Sequence, residues 1–216
     1  MEAFGTLGDA TRRAAYDYVS AQARPVGRDE VAGALAIGRT LAAYHLDKLA
    51  EAGLLSVSYA RRSGRRGPGA GRPAKLYERT EREVSLSLPP RDYGLAAQLL
   101  AHAAATDPHG ATREALRAAA ESLGREIAAA ASNPPELDRL LRERGYEPYE
   151  DEPGVVRLRN CPFHAVAQSH PEVVCDMNLS LLGSILAGVD GDVEAVLEPG
   201  PGRCCVAIKP RRETED

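Results

Sequence analysis

Residues 61–75 constrain the fold of this chain most, because they can form neither a helix nor a long strand. The segment contains four glycines and two prolines and has no apolar periodicity. Strand-like sequence lies on both sides, at residues 54–59 and 76–79. The segment also carries six cations, Arg61, Arg62, Arg65, Arg66, Arg72 and Lys75. The sequence therefore predicts two strands joined by a long, basic loop.

Three amphipathic helices are predicted before the first of these strands, over residues 10–21, 28–36 and 39–52. Asp9 stands where its carboxylate can cap the first helix, and Gly53 can end the third in a left-handed conformation. The inward stripe of the third helix consists of Ala42, Leu46 and Leu49. The predicted order of elements is that of a winged helix-turn-helix domain, in which a helix-turn-helix is followed by a strand, a basic loop and a second strand.

The outward positions at the start of the third helix carry small or hydrogen-bonding side chains, namely Arg39, Thr40, Ala43 and Tyr44. A helix that enters the major groove of duplex DNA reads base edges from such positions. Arg39 can pair bidentately with guanine, Thr40 can reach a base or a phosphate, and Ala43 keeps the helix close to the groove. Tyr44 can donate to a phosphate. His45, beside the inward Leu46, is predicted to be half-buried with its hydrogen bonds satisfied.

The six cations of the loop are predicted to follow a phosphate backbone or to enter a minor groove. A charge run can also be a solvated loop that serves solubility alone, but this one lies where a wing belongs. The charge distribution agrees. Residues 1–90 hold 14 Lys and Arg against 10 Asp and Glu, and residues 91–216 hold 13 against 21, although the whole chain has a net charge of -4.

The chain changes character after Pro89 and Pro90. A helix over residues 92–105 has more apolar surface than one side could bury, and this predicts dimerisation. Further predicted elements are helices over 112–131 and 135–144, a hairpin over 146–160, a helix over 173–189 and strands over 193–197 and 204–208. The predicted fold class is α+β, with a winged helix-turn-helix domain at 1–88, a helical dimerisation region at 89–145 and a small α+β sensor domain at 146–216.

Four cysteines lie in the last third of the chain: Cys161, Cys175, Cys204 and Cys205, with His164 close to the first. Thiolates and imidazoles at such spacing can hold zinc or an iron-sulfur cluster, although the four can also be small buried side chains. Neighbouring strand residues face opposite ways, so one of the last pair is expected at the site. Cys204 is favoured because it shares its side with Val206 and Ile208. The predicted ligands are Cys161, His164, Cys175 and Cys204, with Cys205 or a small exchangeable molecule as alternatives for the fourth.

The start of the chain lacks a basic segment followed by an apolar one, and no stretch approaches about 18 unbroken apolar residues. The sequence therefore predicts a cytoplasmic protein with no membrane partner. In a reducing compartment, clustered cysteines favour metal binding or redox chemistry over structural disulfides.

Several motifs together resemble the ArsR-like winged-helix regulators, and within them the SufR-type group that represses iron-sulfur assembly operons. The similarity is carried by residues 39–49, 52–55 and 68–77, and it extends through 89–93 into the cysteine-bearing region. It implies a homodimer formed through the helix over 92–105. It also implies an iron-sulfur cluster, with 4Fe-4S favoured over zinc, that governs the affinity for a double-stranded operator.

Other functions remain open at this point. A regulator of the same fold could bind zinc, or sense oxidants through its thiols alone. A thiol enzyme could use Cys161 as nucleophile and His164 as base, but the sequence offers no orienting group and no phosphate-binding loop. A winged helix that binds proteins is disfavoured by the arginine count. The sequence therefore predicts a DNA-binding regulator rather than an enzyme.

Overall fold

The computed structural model of the 216-residue chain describes residues 5–22, 24–60, 73–81, 83–84, 91–131, 137–189 and 192–211. The chain divides into two compact units, Met1–Arg91 and Asp92–Asp216. Each unit contains helices and one small antiparallel sheet. The predicted α+β class is confirmed.

The first unit begins with three helices, α1 (Ala10–Ser20), α2 (Arg28–Ala34) and α3 (Arg39–Glu51). The predicted cap is present, since the Asp9 carboxylate accepts a hydrogen bond of 2.8 Å from the Arg12 amide. Helix α3 buries its predicted stripe of Ala42, Leu46 and Leu49 completely. These side chains share one core with buried residues of α1, including Ala15 and Val19.

The sheet of the first unit has the order β1-β3-β2, with β1 at Val26–Gly27, β2 at Leu55–Ala60 and β3 at Ala74–Arg79. Tyr77 on the central strand pairs with Val26 on one side and Val57 on the other, and it is buried. Gly53 has φ +72°, as its predicted role in ending α3 requires. The two predicted strands are confirmed. Residues 61–72, between β2 and β3, lie outside the described residues.

The helices of the second unit are α4 (Tyr93–Thr106), α5 (Ala111–Ala130), α6 (Leu137–Glu143), α7 (His164–Ala167) and α8 (Pro171–Val189). Helices α5 and α8 pack along each other at short range. A Cβ on Gly124 would lie 2.7 Å from the Leu181 carbonyl oxygen and from Ser184 Cβ, so only glycine fits there. This packing crosses the predicted boundary at residue 145.

A four-stranded sheet completes the second unit, with the order β4-β5-β7-β6. Its strands are β4 (Pro148–Glu152), β5 (Val155–Leu158), β6 (Val193–Leu197) and β7 (Val206–Pro210). The predicted hairpin is confirmed, with Gly154 at φ +76° in its turn. The predicted start of the last strand at Cys204 is wrong. Both residues lie in the connection that precedes β7. The Cys204 amide donates a hydrogen bond to the Leu158 carbonyl at the end of β5, and the Cys205 carbonyl accepts one from the Glu198 amide, which follows β6.

Helix α8 is also the one helix of the described residues that is long and apolar enough, by length and composition alone, to cross a membrane. Seven of its residues are buried in the second unit, among them Leu182, Ile185 and Leu186. The apolar composition of α8 therefore matches its place in this core.

Candidate functional site

The outward face of α3 carries the side chains that the sequence singles out at its start. Arg39 and Thr40 are exposed, and Ala43 is half-buried. Arg39 forms two contacts with Asp29 of α2, from Nε to Oδ1 at 2.7 Å and from Nη2 to Oδ2 at 3.2 Å. The guanidinium thus lies beside the N-terminus of α3, held by one carboxylate.

Tyr44 is half exposed on the same helix, and its ring lies edge-on to the His45 ring with 5.3 Å between centroids. The Arg12 guanidinium lies 6.0 Å from the Tyr44 centroid. His45 is 5% exposed, so its predicted burial is confirmed. The prediction that its hydrogen bonds are satisfied is wrong for Nδ1, which has no partner among the described residues.

Lys75 is the one predicted DNA contact of the basic loop that the structure describes. Its Nζ lies 2.5 Å from Asp47 Oδ1 on α3, and the same oxygen accepts a 2.7 Å hydrogen bond from the Tyr77 hydroxyl. Burial raises the pKa of Asp47, but the hydrogen bonds from Lys75 and Tyr77 outweigh it, and the pKa is lowered. This Asp47 network ties α3 to β3. The other predicted loop contacts, Arg61, Arg62, Arg65, Arg66 and Arg72, lie outside the described residues.

Helix α4 exposes a large apolar surface. Tyr93, Leu99 and Leu100 are 76%, 63% and 72% exposed, and Leu95 is exposed as well. The buried positions of the helix are alanines only, Ala101 and Ala104. A side chain of Leu size stabilises a protein by about 1.5–3 kcal/mol when it is fully buried, so this face leaves much stabilisation unused within the chain.

The four cysteines of the second unit lie together as free thiols, and we call this group the thiol cluster. Cys161 precedes α7, Cys175 lies in the second turn of α8, and Cys204 with Cys205 lies just before β7. The pKa of Cys204 responds to the thiols of Cys161 and Cys205, and that of Cys205 responds to Cys175, so the four thiols are close neighbours. Three separate segments of the chain therefore converge on this cluster.

Cys204 is the member of the thiol cluster best placed to be a thiolate. Hydrogen bonds from Cys161 and Cys205 lower its pKa far below the usual value, against its burial, and the Val206 amide and Asn178 add to the effect. The pKa of Cys161 is raised by its hydrogen bond to Cys204 and by burial, and that of Cys205 is raised by the same two causes. One negative charge is thus stabilised at Cys204, while its two neighbours donate to it.

A buried polar pair beside the thiol cluster was missed by the sequence analysis. The Tyr146 hydroxyl donates to Asn178 Oδ1 at 2.5 Å, and Asn178 Nδ2 donates to Cys204 Sγ at 3.4 Å. Burial raises the pKa of Tyr146, as do the nearby sulfurs of Cys161, Cys204 and Cys205. One signal was available, because Asn178 lies three residues after Cys175 and interrupts an otherwise apolar helix face.

The argument from strand alternation for Cys204 over Cys205 does not hold, because β7 begins only at Val206, and which of the two is a ligand stays a prediction. Both residues belong to the thiol cluster. The predicted ligand His164 is exposed, and its Nε2 lies 3.1 Å from the Gln168 side chain one turn further along. The contacts described for His164 thus place it with Gln168, and its role as a ligand stays a prediction.

The chemistry of the thiol cluster fits a thiophilic group such as an iron-sulfur cluster or zinc. Its four soft ligands come from a partly buried region, and its thiolate position already accepts several hydrogen bonds. The thiols meet in pairs, Cys161 with Cys204, Cys204 with Cys205, and Cys205 with Cys175. Within the described residues, no three His, Cys, Asp or Glu side chains surround a single point in the way a metal ion needs. Binding would therefore require the sulfurs to turn toward one centre.

No protein family, no curated protein and no solved structure matches this chain. The similarity to the ArsR-like regulators is therefore a prediction from the motifs alone.

Proposed function

We propose that this chain is a homodimeric winged helix-turn-helix transcription regulator, a repressor or an activator, whose affinity for duplex DNA depends on an iron-sulfur cluster held by its thiols. One observation carries the proposal. Helix α3 exposes Arg39, Thr40 and Tyr44 beside a small antiparallel sheet, and the connection between β2 and β3 contains five arginines. In a winged helix-turn-helix domain, the wing is the basic loop that joins two paired strands in this way.

The exposed start of α3 suits the major groove, which admits one helix and is read through base edges. Arg39 has to exchange Asp29 for a guanine, and the cost is small because a surface ion pair contributes only about 0–1 kcal/mol. Lys75 has a different part, since its pairing with Asp47 orients the base of the wing against α3. The arginines of residues 61–72 then supply the phosphate or minor-groove contacts.

The exposed face of α4 supports the proposed dimer. Tyr93, Leu95, Leu99 and Leu100 lie on a helix whose other contacts are made mainly through small residues. A second copy of the same helix would cover this face in a symmetric interface. Dimerisation would place two reading helices about one turn of DNA apart, which is 34–36 Å in helix-turn-helix regulators.

The residues that would hold the cofactor are Cys161, Cys175 and Cys204, with Cys205, His164 or an exogenous molecule as the fourth ligand. Bound iron and sulfide would supply a redox-sensitive group whose loss or oxidation changes the order of the second unit. A coupling free energy of about 1–3 kcal/mol between this site and the DNA site would change operator affinity roughly 5- to 150-fold.

Titration of fluorescent duplexes with the full-length protein tests the DNA-binding half of this proposal. Arg39→Ala is expected to lower the preference for the best duplex by about 1–3 kcal/mol. Arg139→Ala is the matched control, because Arg139 is equally exposed and pairs with Glu143 on α6 in the second unit. Equal effects of the two substitutions would contradict a reading role for α3.

Anaerobic purification followed by iron and sulfide analysis tests the cofactor half. Four iron and four sulfide per chain are expected for a 4Fe-4S cluster. The same preparation, before and after removal of the iron by a chelator, should bind the operator with different affinities. Stoichiometric iron with identical affinities in the two states would contradict coupling.

A thiol-based oxidant sensor is the second candidate, because the Cys204 sulfur already contacts two other thiols. Peroxide would take two electrons and two protons from a pair such as Cys161 and Cys204, which gives one disulfide and two waters. Iron content and the number of free thiols distinguish the two candidate functions. This sensor would contain no iron, and it would lose two free thiols per chain after treatment with peroxide.

A further inference from the structure

We infer that Asn178, held in place by Tyr146, is a positioning residue that donates a hydrogen bond to the Cys204 ligand of the proposed cofactor. The inference rests on the proposed function, since it assigns a partner to one ligand of that site. It concerns the side chains of Tyr146, Asn178 and Cys204, which form one chain of hydrogen bonds inside the second unit.

All three members of this chain are withdrawn from solvent. Asn178 is fully buried, and Tyr146 and Cys204 are buried beside it. Burying an amide without hydrogen bonds destabilises a protein, whereas burying an apolar group of the same size stabilises it, so a buried Asn is expected where both ends have partners. In the described part of the chain, Asn178 and His45 are the two polar side chains that are buried.

The chemistry of a ligated sulfur decides the orientation of the amide. A sulfur bound to a metal carries no proton, and it can only accept a hydrogen bond. The amino end of Asn178 must therefore face Cys204, which leaves Oδ1 to accept the proton of the Tyr146 hydroxyl. The structure has this arrangement, with Nδ2 at 3.4 Å from the sulfur and Oδ1 at the hydroxyl.

Helix α8 gives the pair a second link to the site. Cys175 and Asn178 lie one turn apart on this helix, so one rigid element presents a ligand and also the donor to a ligand from another segment. Residues that orient metal ligands in this way contribute strongly to affinity, and hydrogen bonds to the sulfurs raise the reduction potential of an iron-sulfur cluster. Asn178 is thus expected to influence both quantities without binding the metal.

The test uses full-length apo-protein with cobalt(II) as a probe of the thiolate site, and the reconstituted iron-sulfur protein for potentiometry. Asn178→Leu is expected to weaken cobalt binding roughly 10- to 100-fold. The midpoint potential of the cluster should become more negative, because the reduced cluster carries more negative charge and loses a stabilising donor. A purely structural residue would not move the potential.

Tyr146→Phe is the second variant, and it keeps the inference testable if Asn178→Leu folds poorly. Removing only the hydroxyl frees the amide to rotate, so a smaller shift in the same direction is expected. Tyr149→Phe is the control, because Tyr149 lies in the same unit and its ring packs against Arg159 instead. It should leave both affinity and potential at their wild-type values.

The outcomes separate this inference from the proposed function. Wild-type protein that binds the probe and the cluster, with Asn178→Leu and Tyr146→Phe unchanged in affinity and potential, overturns the inference and leaves the proposed function standing. Wild-type protein that binds neither cobalt nor a cluster overturns the cofactor half of the proposed function, and the inference with it.

Discussion

The two units of this chain differ in the hydrogen bonding of their buried polar side chains. In the first unit His45 lies under the outward face of α3, and its Nδ1 has no partner in the described structure. In the second unit Asn178 is bonded at both ends, to Tyr146 and to Cys204. The first unit displays charged and aromatic side chains on the outward face of α3, whereas in the second unit Tyr146 and Asn178 lie beside Cys204, the buried member of the thiol cluster.

Charge follows the same division. Residues 1–90 have an excess of cations and residues 91–216 an excess of anions. A basic surface attracts a polyanion such as DNA, and a buried sulfur site binds a soft metal. The proposed DNA site lies at the surface of the first unit, and the proposed cofactor site lies inside the second. We therefore expect substitutions in the two units to change different measured properties.

The largest expected effect comes from Cys175→Ala in the second unit. Removing one sulfur should abolish cofactor binding and, on the proposed coupling of the cofactor site to the DNA site, change operator affinity by up to about 150-fold. Iron analysis together with operator titration checks this. The first unit should stay folded, so non-specific DNA binding serves as the internal control. A variant that lacks the cofactor but binds the operator with wild-type affinity would contradict the proposed coupling between the two units.

The next effect compares the two buried polar residues directly. Asn178→Leu should lower the free energy of unfolding of the second unit by about 1–3 kcal/mol, because Tyr146 loses its buried acceptor. His45→Leu should not lower the stability of the first unit and should raise it by about 1 kcal/mol, because the buried Nδ1 has no hydrogen bond to lose and its desolvation penalty is removed. Denaturant unfolding of both variants measures the difference. Equal losses would show that the two sites do not differ as described.

A third effect concerns the arginines of the proposed wing, at residues 61–72. Arg65→Ala combined with Arg66→Ala should weaken binding on every duplex and lower the salt slope of the affinity by about one to two. The loss of affinity between 50 and 200 mM salt should then be roughly 4- to 16-fold smaller than in the wild type. Affinity measured over a series of salt concentrations checks it. An unchanged slope would exclude the wing from phosphate contact.

The smallest effect is the pH dependence contributed by Asp47. Its pKa is lowered in the folded state, so ionised Asp47 stabilises the fold above the unfolded-state pKa of about 3.9, and this is lost as the pH falls through the folded-state pKa. Asp47→Asn should cost about 1 kcal/mol at most at neutral pH, because the side chain is half exposed. Stability of wild type and variant should converge in acid. A constant difference down to pH 2 would contradict the ion pair with Lys75.

Local features of this fold were predictable because they depend on neighbouring residues. The Asp9 cap, the left-handed Gly53 and the inward stripe of α3 follow from short-range spacing. The convergence of the four cysteines was not predictable in detail, and strand alternation does not apply to Cys204 and Cys205 because both precede β7. The two residues bond to different neighbours, Leu158 and Glu198, and neither contact is encoded locally.

The partners of buried polar groups were beyond sequence reasoning for a similar reason. Tyr146 and Asn178 are 32 positions apart and meet only after β4, β5 and α8 have packed. Arg39 shows the same limit on the surface, since the sequence indicates an exposed cation but not its pairing with Asp29. Tertiary packing decides such pairs, and the residue types alone leave several partners open.

The central proposal is that the first unit binds duplex DNA and that the cofactor of the second unit controls the affinity. Selection of random duplexes by the full-length protein, with and without its cofactor, tests it most directly. The proposal predicts enrichment of paired half-sites whose centres lie about 10–10.5 base pairs apart, or a multiple of this, with a change in affinity when the cofactor is removed. A pool that stays unenriched in both states at low salt would contradict it, because the basic surface of the first unit would then have no duplex to read.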